Sequence, residues 1–107
     1  MIIRVSRSRI RDGSEEQVMA IVRAAVSRGA QPDGLEYAQM GRRLEGRSEM
    51  LIGISVWRDL EALTSALGPE WHQPTILPGL DEYVESSAVE HYETIAAGLD
   101  ELLASSA

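Results

Sequence analysis

A histidine beside a tryptophan is the pair of residues best suited to chemistry in this chain. Trp71 and His72 lie between Pro69 and Pro74, and the prolines favour an irregular path for this segment. Side chains on loops that a rigid scaffold holds are common in functional sites. An imidazole changes charge near neutral pH, so His72 could take a proton from a phenol. In the structural alternative, Trp71 packs over a helix and His72 is simply exposed.

The other histidine, His91, has a simpler interpretation. It lies in a predicted strand, where alternation places it with Glu93 on one face and places Glu90 with Tyr92 on the other. A cross-strand ion pair accounts for this arrangement. The two histidines lack the spacing of metal ligands and the chain has no cysteine. The sequence therefore predicts no metal site and no disulfide.

Four strands, two helices and one helical turn must position these residues. Alternating Ile3 and Val5 predict a first strand, and Ser14 with Gln17 forms a capping box that predicts a helix ending near Gly29. Asp59 is expected to cap a second helix. The predicted order is strand 2–10, helix 15–29, strand 35–44, strand 49–57, helix 60–67, one helical turn at 69–73, and strand 83–92. In the second helix, Leu60, Leu63 and Leu67 are expected to face inward.

This order, βαββαβ, is the ferredoxin-like plan of the α+β class, with an antiparallel sheet and both helices on one face. We expect residues 1–107 to form one domain, with a core over 1–94 and a tail over 95–107 that forms an extra C-terminal helix. The second face of the sheet should carry apolar side chains that no third layer covers. A second copy of the chain is the expected cover, which predicts a homodimer.

Composition limits the partners of the protein. The net charge is −7, which argues against nucleic acid, and no apolar run is long enough to span a membrane. All ten basic residues are arginines between Arg4 and Arg58. Residues 1–58 also contain seven acidic residues and so have a net charge of +3. The remainder of the chain has ten acidic residues and no basic one. The N-terminus lacks the features of a signal peptide, so we expect a cytoplasmic protein.

A strand that ends in Ser55-Val56-Trp57 and leads into a helix capped by Asp59 resembles the antibiotic biosynthesis monooxygenase superfamily. The segments 68–71 and 89–93 are also similar to those of bacterial members, and the resemblance covers residues 1 to 95. It implies a dimeric α+β barrel. It does not select one activity, because the superfamily includes quinol monooxygenases, polyketide-modifying oxygenases, haem-degrading enzymes and members of no known activity.

The haem-degrading branch has an asparagine on the first strand, a tryptophan within the second helix and a histidine after it. This chain has Ser6, Arg7 and Ser8 on the first strand, Ala66 near the place of the tryptophan, and His72 a few residues early. Two of the three residues are therefore missing, and the resemblance disfavours haem degradation.

The branch that oxidises phenols and quinols without a cofactor provides the working hypothesis. By this resemblance His72 would be the base, Arg7 would stabilise a developing oxyanion, and Trp57, Trp71 and Tyr37 would bind a small aromatic molecule. The hypothesis requires no cofactor. The alternative is a non-catalytic dimeric protein that binds a small molecule or acts as an accessory subunit, since a fold does not fix a function.

Overall fold

The computed structural model describes residues 1–29, 31–45 and 50–96 and confirms the ferredoxin-like α+β plan. Its elements are β1 (Ile2–Ile10), α1 (Glu15–Arg28), β2 (Leu35–Arg42), β3 (Met50–Trp57), α2 (Leu60–Leu67) and β4 (Val84–Glu93). Residues 46–48 of the predicted hairpin tip and residues 97–107 of the predicted tail helix lie outside the described residues. None of the helices described has the length and apolar character needed to cross a membrane.

The sheet is antiparallel, in the order β2-β3-β1-β4, so β1 is a central strand. Arg4 of β1 is flanked by Ser55 of β3 and by His91 of β4. Ser6 is flanked in the same way by Gly53 and Val89. Because paired residues share a face, this register decides which side chains meet on each side of the sheet.

The helices lie on the face that carries the even-numbered residues of β1. Two hydrophobic clusters form there, and each joins a strand to a helix. One contains Ile10, Val18, Leu51 and Leu80; the other contains Trp57, Ala62 and Leu63. Between the two clusters the same face carries a half-buried small-residue surface, consisting of Ser6, Ser8, Gly53, Ser55 and Ser87. The core is therefore divided, and the gap between its parts has a polar floor.

The opposite face of the sheet, the outer face, is apolar at its centre. It carries half-buried aliphatic side chains from β1 and β3, and tyrosines near its two edges. These residues are Ile3, Val5, Ile52, Ile54, Val56, Tyr37 and Tyr92. No element within residues 1–29, 31–45 and 50–96 packs over them, as expected for a face that needs a further cover.

The two helices begin differently. At α2 the predicted cap is confirmed, since a side-chain oxygen of Asp59 accepts a hydrogen bond of 2.8 Å from the Ala62 N–H. At α1 the predicted capping box is wrong, because the Ser14 hydroxyl instead donates to the Arg11 carbonyl over 2.6 Å. The inward placement of Leu60 is also wrong. Its side chain is 45% exposed, whereas Leu63 is fully buried.

The segment after α2 consists of turns rather than the predicted helical turn. Gly68 ends the helix with a φ of 81°, and the Trp71 N–H then bonds the Gly68 carbonyl over 3.1 Å. The Gln73 N–H bonds the Glu70 carbonyl in the same pattern, over 2.9 Å. Pro74 has no N–H to extend these bonds into a helix. The first predicted strand matches β1, and the ends of the second and fourth differ from those of β2 and β4 by one or two residues.

Candidate functional site

A buried arginine on the helix-facing side of β1 connects the sheet to the segment after α2. Arg4 is 7% exposed. Its Nη1 donates to the Trp71 carbonyl and to Nε2 of His91, the latter over 2.9 Å. Its Nη2 donates to the Gln73 carbonyl over 3.0 Å and to the Thr75 hydroxyl over 3.3 Å. Arg4 therefore fixes residues 71–75 to the sheet at the position of His91.

Three aromatic rings meet beside the segment that Arg4 holds. The Trp71 ring meets the His91 ring edge to face, with centroids 4.9 Å apart, and the His72 ring with centroids 5.7 Å apart. Trp71 also packs against the cluster that contains Trp57. We call Arg4, Trp71 and His91 the Arg4 cluster. It lies at the end of the small-residue surface, because Arg4 and Ser6 are neighbours on the same face of β1.

The small-residue surface carries hydroxyl groups and one glycine. The Ser8 and Ser87 hydroxyls lie 2.9 Å apart across β1 and β4, and the Trp57 Nε1–H donates to the Ser55 hydroxyl over 2.9 Å. A Cβ on Gly53 would approach the Ser6 hydroxyl to 2.7 Å. Because Gly53 has no side chain, nothing from this position projects above the Ser6 hydroxyl. A flat ring could lie there with hydroxyl groups beneath it and Trp71 beside it.

The charges in the Arg4 cluster favour a neutral His91. Burial lowers the pKa of the Arg4 guanidinium from its ordinary value. The pKa of His91 is lowered first by burial, then by the charge of Arg4 and then by that of His72. A proton on His91 would place a second cation next to Arg4, so the imidazole is held in its uncharged form.

The structure brings together three of the five site residues that the sequence predicted. Trp57 is buried at the end of β3, Trp71 packs on its cluster, and His72 lies beside Trp71 with its side chain exposed. Part of the structural alternative is therefore observed, since Trp71 does pack over α2 and His72 does face solvent.

The other two predicted residues lie on the outer face. Arg7 forms an ion pair with Glu90, with its Nη1 2.9 Å from a carboxylate oxygen. Tyr37, on β2, is 49% exposed and its hydroxyl donates to the Gln39 side chain. Strand alternation separates both from Trp71 and His72 by the thickness of the sheet, so the structure does not group them with the predicted base.

Sequence reasoning missed Arg4 and misjudged His91. The predicted cross-strand contact of His91 exists, but its partner is an arginine rather than a carboxylate. A signal was available, because Arg4, Ser6 and Ser8 share one face of the first strand and Ile3 and Val5 share the other. We expected apolar residues on the uncovered face. The polar residues of the first strand must then face the helices, where a buried arginine needs several hydrogen-bond acceptors.

Two depressions in the surface of the described chain are weaker candidates for a functional site. Open depressions of about 370 Å³ each lie beside Arg58 and Glu61 at α2, and beside Arg11 and Glu82 near the start of α1. Neither includes a member of the Arg4 cluster. Among residues 1–29, 31–45 and 50–96, no three His, Asp or Glu side chains are grouped so that they could hold a metal ion.

Comparison with known families agrees with this architecture. The family profile described as antibiotic biosynthesis monooxygenase matches residues 1–74. The chain belongs to this family. No curated protein sequence matches it. The match covers β1 through the segment that bears Trp71 and His72, so three of the four strands and both helices lie within it.

Solved structures share the fold at low sequence identity. An antibiotic biosynthesis monooxygenase-type protein from Deinococcus radiodurans is 17% identical, with a TM-score of 0.70 over 92% of this chain and 96% of that one. A variant of SnoaB, a cofactor-independent oxygenase from Streptomyces nogalater, is 18% identical, with a TM-score of 0.67 over 90% and 94%. MhuD with manganese protoporphyrin IX is 13% identical, with a TM-score of 0.67 over 92% and 98%.

The Arg4 cluster does not fit a porphyrin of the kind that MhuD binds. Nε2 of His91 accepts a hydrogen bond from Arg4 and is not free to ligate a metal. Moving it toward a metal would leave a buried guanidinium without one of its acceptors. Nε2 of His91 is therefore occupied by Arg4 rather than available to a metal ion.

Proposed function

We propose that this protein is a cofactor-independent monooxygenase that oxidises a small phenolic or quinol-type molecule. The observation that carries the proposal is the Arg4 cluster at the end of the small-residue surface, on the helix-facing side of the sheet. Family membership supports an oxygenase, and SnoaB is an example with the same fold. Apolar and aromatic walls with a few fixed polar groups suit a small aromatic ligand.

The proposed reaction needs a base, a binding surface and dioxygen. The substrate ring lies on the small-residue surface against Trp71, and His72 takes the phenolic proton. The anion is electron-rich enough to reduce dioxygen. A C–O bond forms at a ring carbon, the carbon loses its proton, and the O–O bond breaks to release water and leave a quinone. One phenol and one O₂ thus give one quinone and one H₂O, and the electrons come from the substrate.

We also propose that the outer face is the interface of a homodimer. Its apolar centre contains Val5 and Ile54, paired across β1 and β3, and charged Arg7 and Glu90 lie beside them. Ile54→Glu should give a monomer in sedimentation velocity with an unchanged far-UV circular dichroism spectrum. Arg23→Glu, on the exposed surface of α1, is the control and should leave the mass unchanged. A folded Ile54→Glu variant with the wild-type mass would contradict this interface.

A second candidate function is binding without catalysis. Nε2 of His91 is already hydrogen-bonded, and His72 is exposed rather than enclosed. The described part of the site therefore has no buried imidazole with a free acceptor nitrogen. Such a site could hold an aromatic molecule between Trp71 and the sheet without removing its proton.

Oxygen consumption distinguishes the two candidates. The metal-free protein is tested with a panel of quinols and polycyclic phenols, beside His72→Ala and the control Gln73→Ala. Gln73 binds Arg4 through its backbone carbonyl, which the control keeps. We expect uptake that requires the protein, falls in His72→Ala and persists in Gln73→Ala. Ligand binding without uptake would favour the binding protein, and uptake that His72→Ala leaves unchanged would exclude His72 as the base.

A further inference from the structure

The guanidinium of Arg4 has no donor on its terminal nitrogens left for a ligand. Nη1 and Nη2 together carry four N–H groups, and the four observed acceptors use all of them. Arg4 therefore does not bind a substrate oxygen through these atoms. Its effect on a bound molecule must pass through the groups that it holds, which are His91 and the segment 71–75.

The contact with Arg4 determines the protonation state of His91. A guanidinium can only donate hydrogen bonds, so Nε2 of His91, 2.9 Å away, must accept. An imidazole that accepts at Nε2 and is neutral carries its proton on Nδ1. Within residues 1–29, 31–45 and 50–96, Arg4 is the one hydrogen-bond partner of the His91 ring, so the Nδ1–H remains available as a donor.

We propose that Arg4 is a positioning residue that holds His91 as its Nδ1–H tautomer beside Trp71, so that His91 donates a hydrogen bond to an oxygen of the bound molecule. The inference rests on the proposed function for the identity of that molecule. It narrows the substrate class to aromatic rings with a phenolate or carbonyl oxygen at the ring edge. It also assigns the two histidines different tasks, with a donor at His91 and the base at His72.

The surroundings of His91 support a donor rather than a base. The charged or titratable groups that face it are Arg4 from β1, His72 from the segment after α2, and Glu93 two residues along β4. Arg4 lies closest, and burial and the Arg4 charge lower the pKa of His91. A neutral ring is a poor proton acceptor at a nitrogen already hydrogen-bonded, but its Nδ1–H can stabilise negative charge that develops on an oxygen.

The test reads the tautomer directly and needs no substrate. In the full chain labelled with ¹⁵N, long-range proton–nitrogen spectra should show a protonated Nδ1 and an unprotonated Nε2 for His91. Arg4→Met should give a mixture of tautomers. Arg4→Lys covers the case in which Arg4→Met does not fold, and it should shift the Nε2 resonance. Arg9→Met, on the same strand but the opposite face, is the matched control and should change neither nitrogen. A protonated Nε2 in the wild type would overturn the proposal.

A ligand and a kinetic measurement test the second half of the proposal. Adding 2-naphthol should shift the His91 Nδ1–H resonance, and an unchanged resonance at saturation would overturn the donor role. On the best substrate of the oxygen-uptake panel, His91→Phe should lower kcat about 10²-fold. Arg4→Met should also lower kcat. The double variant of Arg4→Met and His91→Phe should lose no more activity than His91→Phe alone, because the two residues act as a unit. Additive losses would contradict a positioning role.

The two proposals fail separately. If the tautomer and the 2-naphthol shift are as expected but no substrate drives oxygen uptake, the monooxygenase is refuted and the positioning by Arg4 stands. If uptake occurs but His91 carries its proton on Nε2, the positioning is refuted and the monooxygenase stands.

Discussion

Replacing Gly34 with alanine should damage the contact between the start of β2 and α2. Gly34 has a φ of +84°, and a Cβ built there would meet the Cβ of Ala62 well inside van der Waals contact. Ala62 belongs to the buried cluster of Trp57 and Leu63, against which Trp71 packs. The close approach at Gly34 therefore sets how near α2 lies to the sheet, and through α2 the position of Trp71.

The expected cost can be separated into two parts with Gly13 as the reference. Gly13 has nearly the same φ, +79°, with nothing within 4 Å of its built Cβ. Gly13→Ala should therefore cost only backbone strain, about 1–2 kcal/mol, less the benefit of a more restricted unfolded chain, about 0.4–1 kcal/mol. Gly34→Ala adds overpacking of about 1–3 kcal/mol. We expect it to lower the free energy of unfolding by about 2–4 kcal/mol.

Urea unfolding at one fixed protein concentration measures both variants. With a slope of about 2 kcal/mol per molar, the Gly34→Ala midpoint should lie roughly 0.5–1.5 M below that of Gly13→Ala. Ala62→Gly removes the obstructing methyl, so Gly34→Ala should cost about 1–3 kcal/mol less in that background. Equal midpoints for the two alanine variants, or no coupling to Ala62, would refute the argument that close packing at Gly34 holds α2 in place.

Three further predictions concern single interactions. Asp59→Ala should lower the free energy of unfolding, measured in urea, by about 1 kcal/mol because it removes the cap of α2. Asp59→Asn keeps a hydrogen-bond acceptor and should retain most of this stability. Equal losses of stability in the two variants would argue against the cap. Because the pKa of His91 is lowered in the folded protein, the unfolded chain binds a proton at His91 more readily than the folded chain does below about pH 6.5. Stability should therefore fall as the pH drops through this range, and His91→Gln should show a smaller fall, whereas an unchanged pH profile would exclude His91 as its source. The hydrogen bond from Tyr92 is the largest single cause of the lowered pKa of Glu90, ahead of the Arg7 charge. Tyr92→Phe should therefore raise the pKa of Glu90 in carboxyl NMR titrations, and an unchanged pKa would show that this hydrogen bond does not lower it.

The fold could be predicted from the sequence because its local signals agree with one another. Alternation in β1, the apolar β3 and the side chain of Asp59 each specify an element within a few residues. One error arose where a side chain had two available partners. Ser14 could accept from the helix that follows it or donate to the Arg11 carbonyl, and only the tertiary turn decides between them.

The candidate site could be predicted only in part, for a similar reason. Trp71 and His72 are recognisable as an aromatic and a titratable residue on a segment between prolines. Arg4 is 67 residues from Trp71 and 87 from His91, and no local pattern connects them. Their contact depends on the β1–β4 register and on the turn after α2, which are properties of the folded chain.

Arg4 is part of the proposed site and Arg7 is part of the proposed interface because of the two-residue period of one strand. Arg4 and Arg7 differ by three positions on β1, an odd number, so their side chains leave the sheet on opposite sides. Arg4 is buried and donates to two backbone carbonyls, a hydroxyl group and the His91 ring, which fix its position. Arg7 is exposed and paired with Glu90 next to an apolar face, where exchange of partners with a second copy is open to it. The same alternation that predicts the strand therefore separates the proposed site from the proposed interface, and a one-residue shift in register would exchange the two.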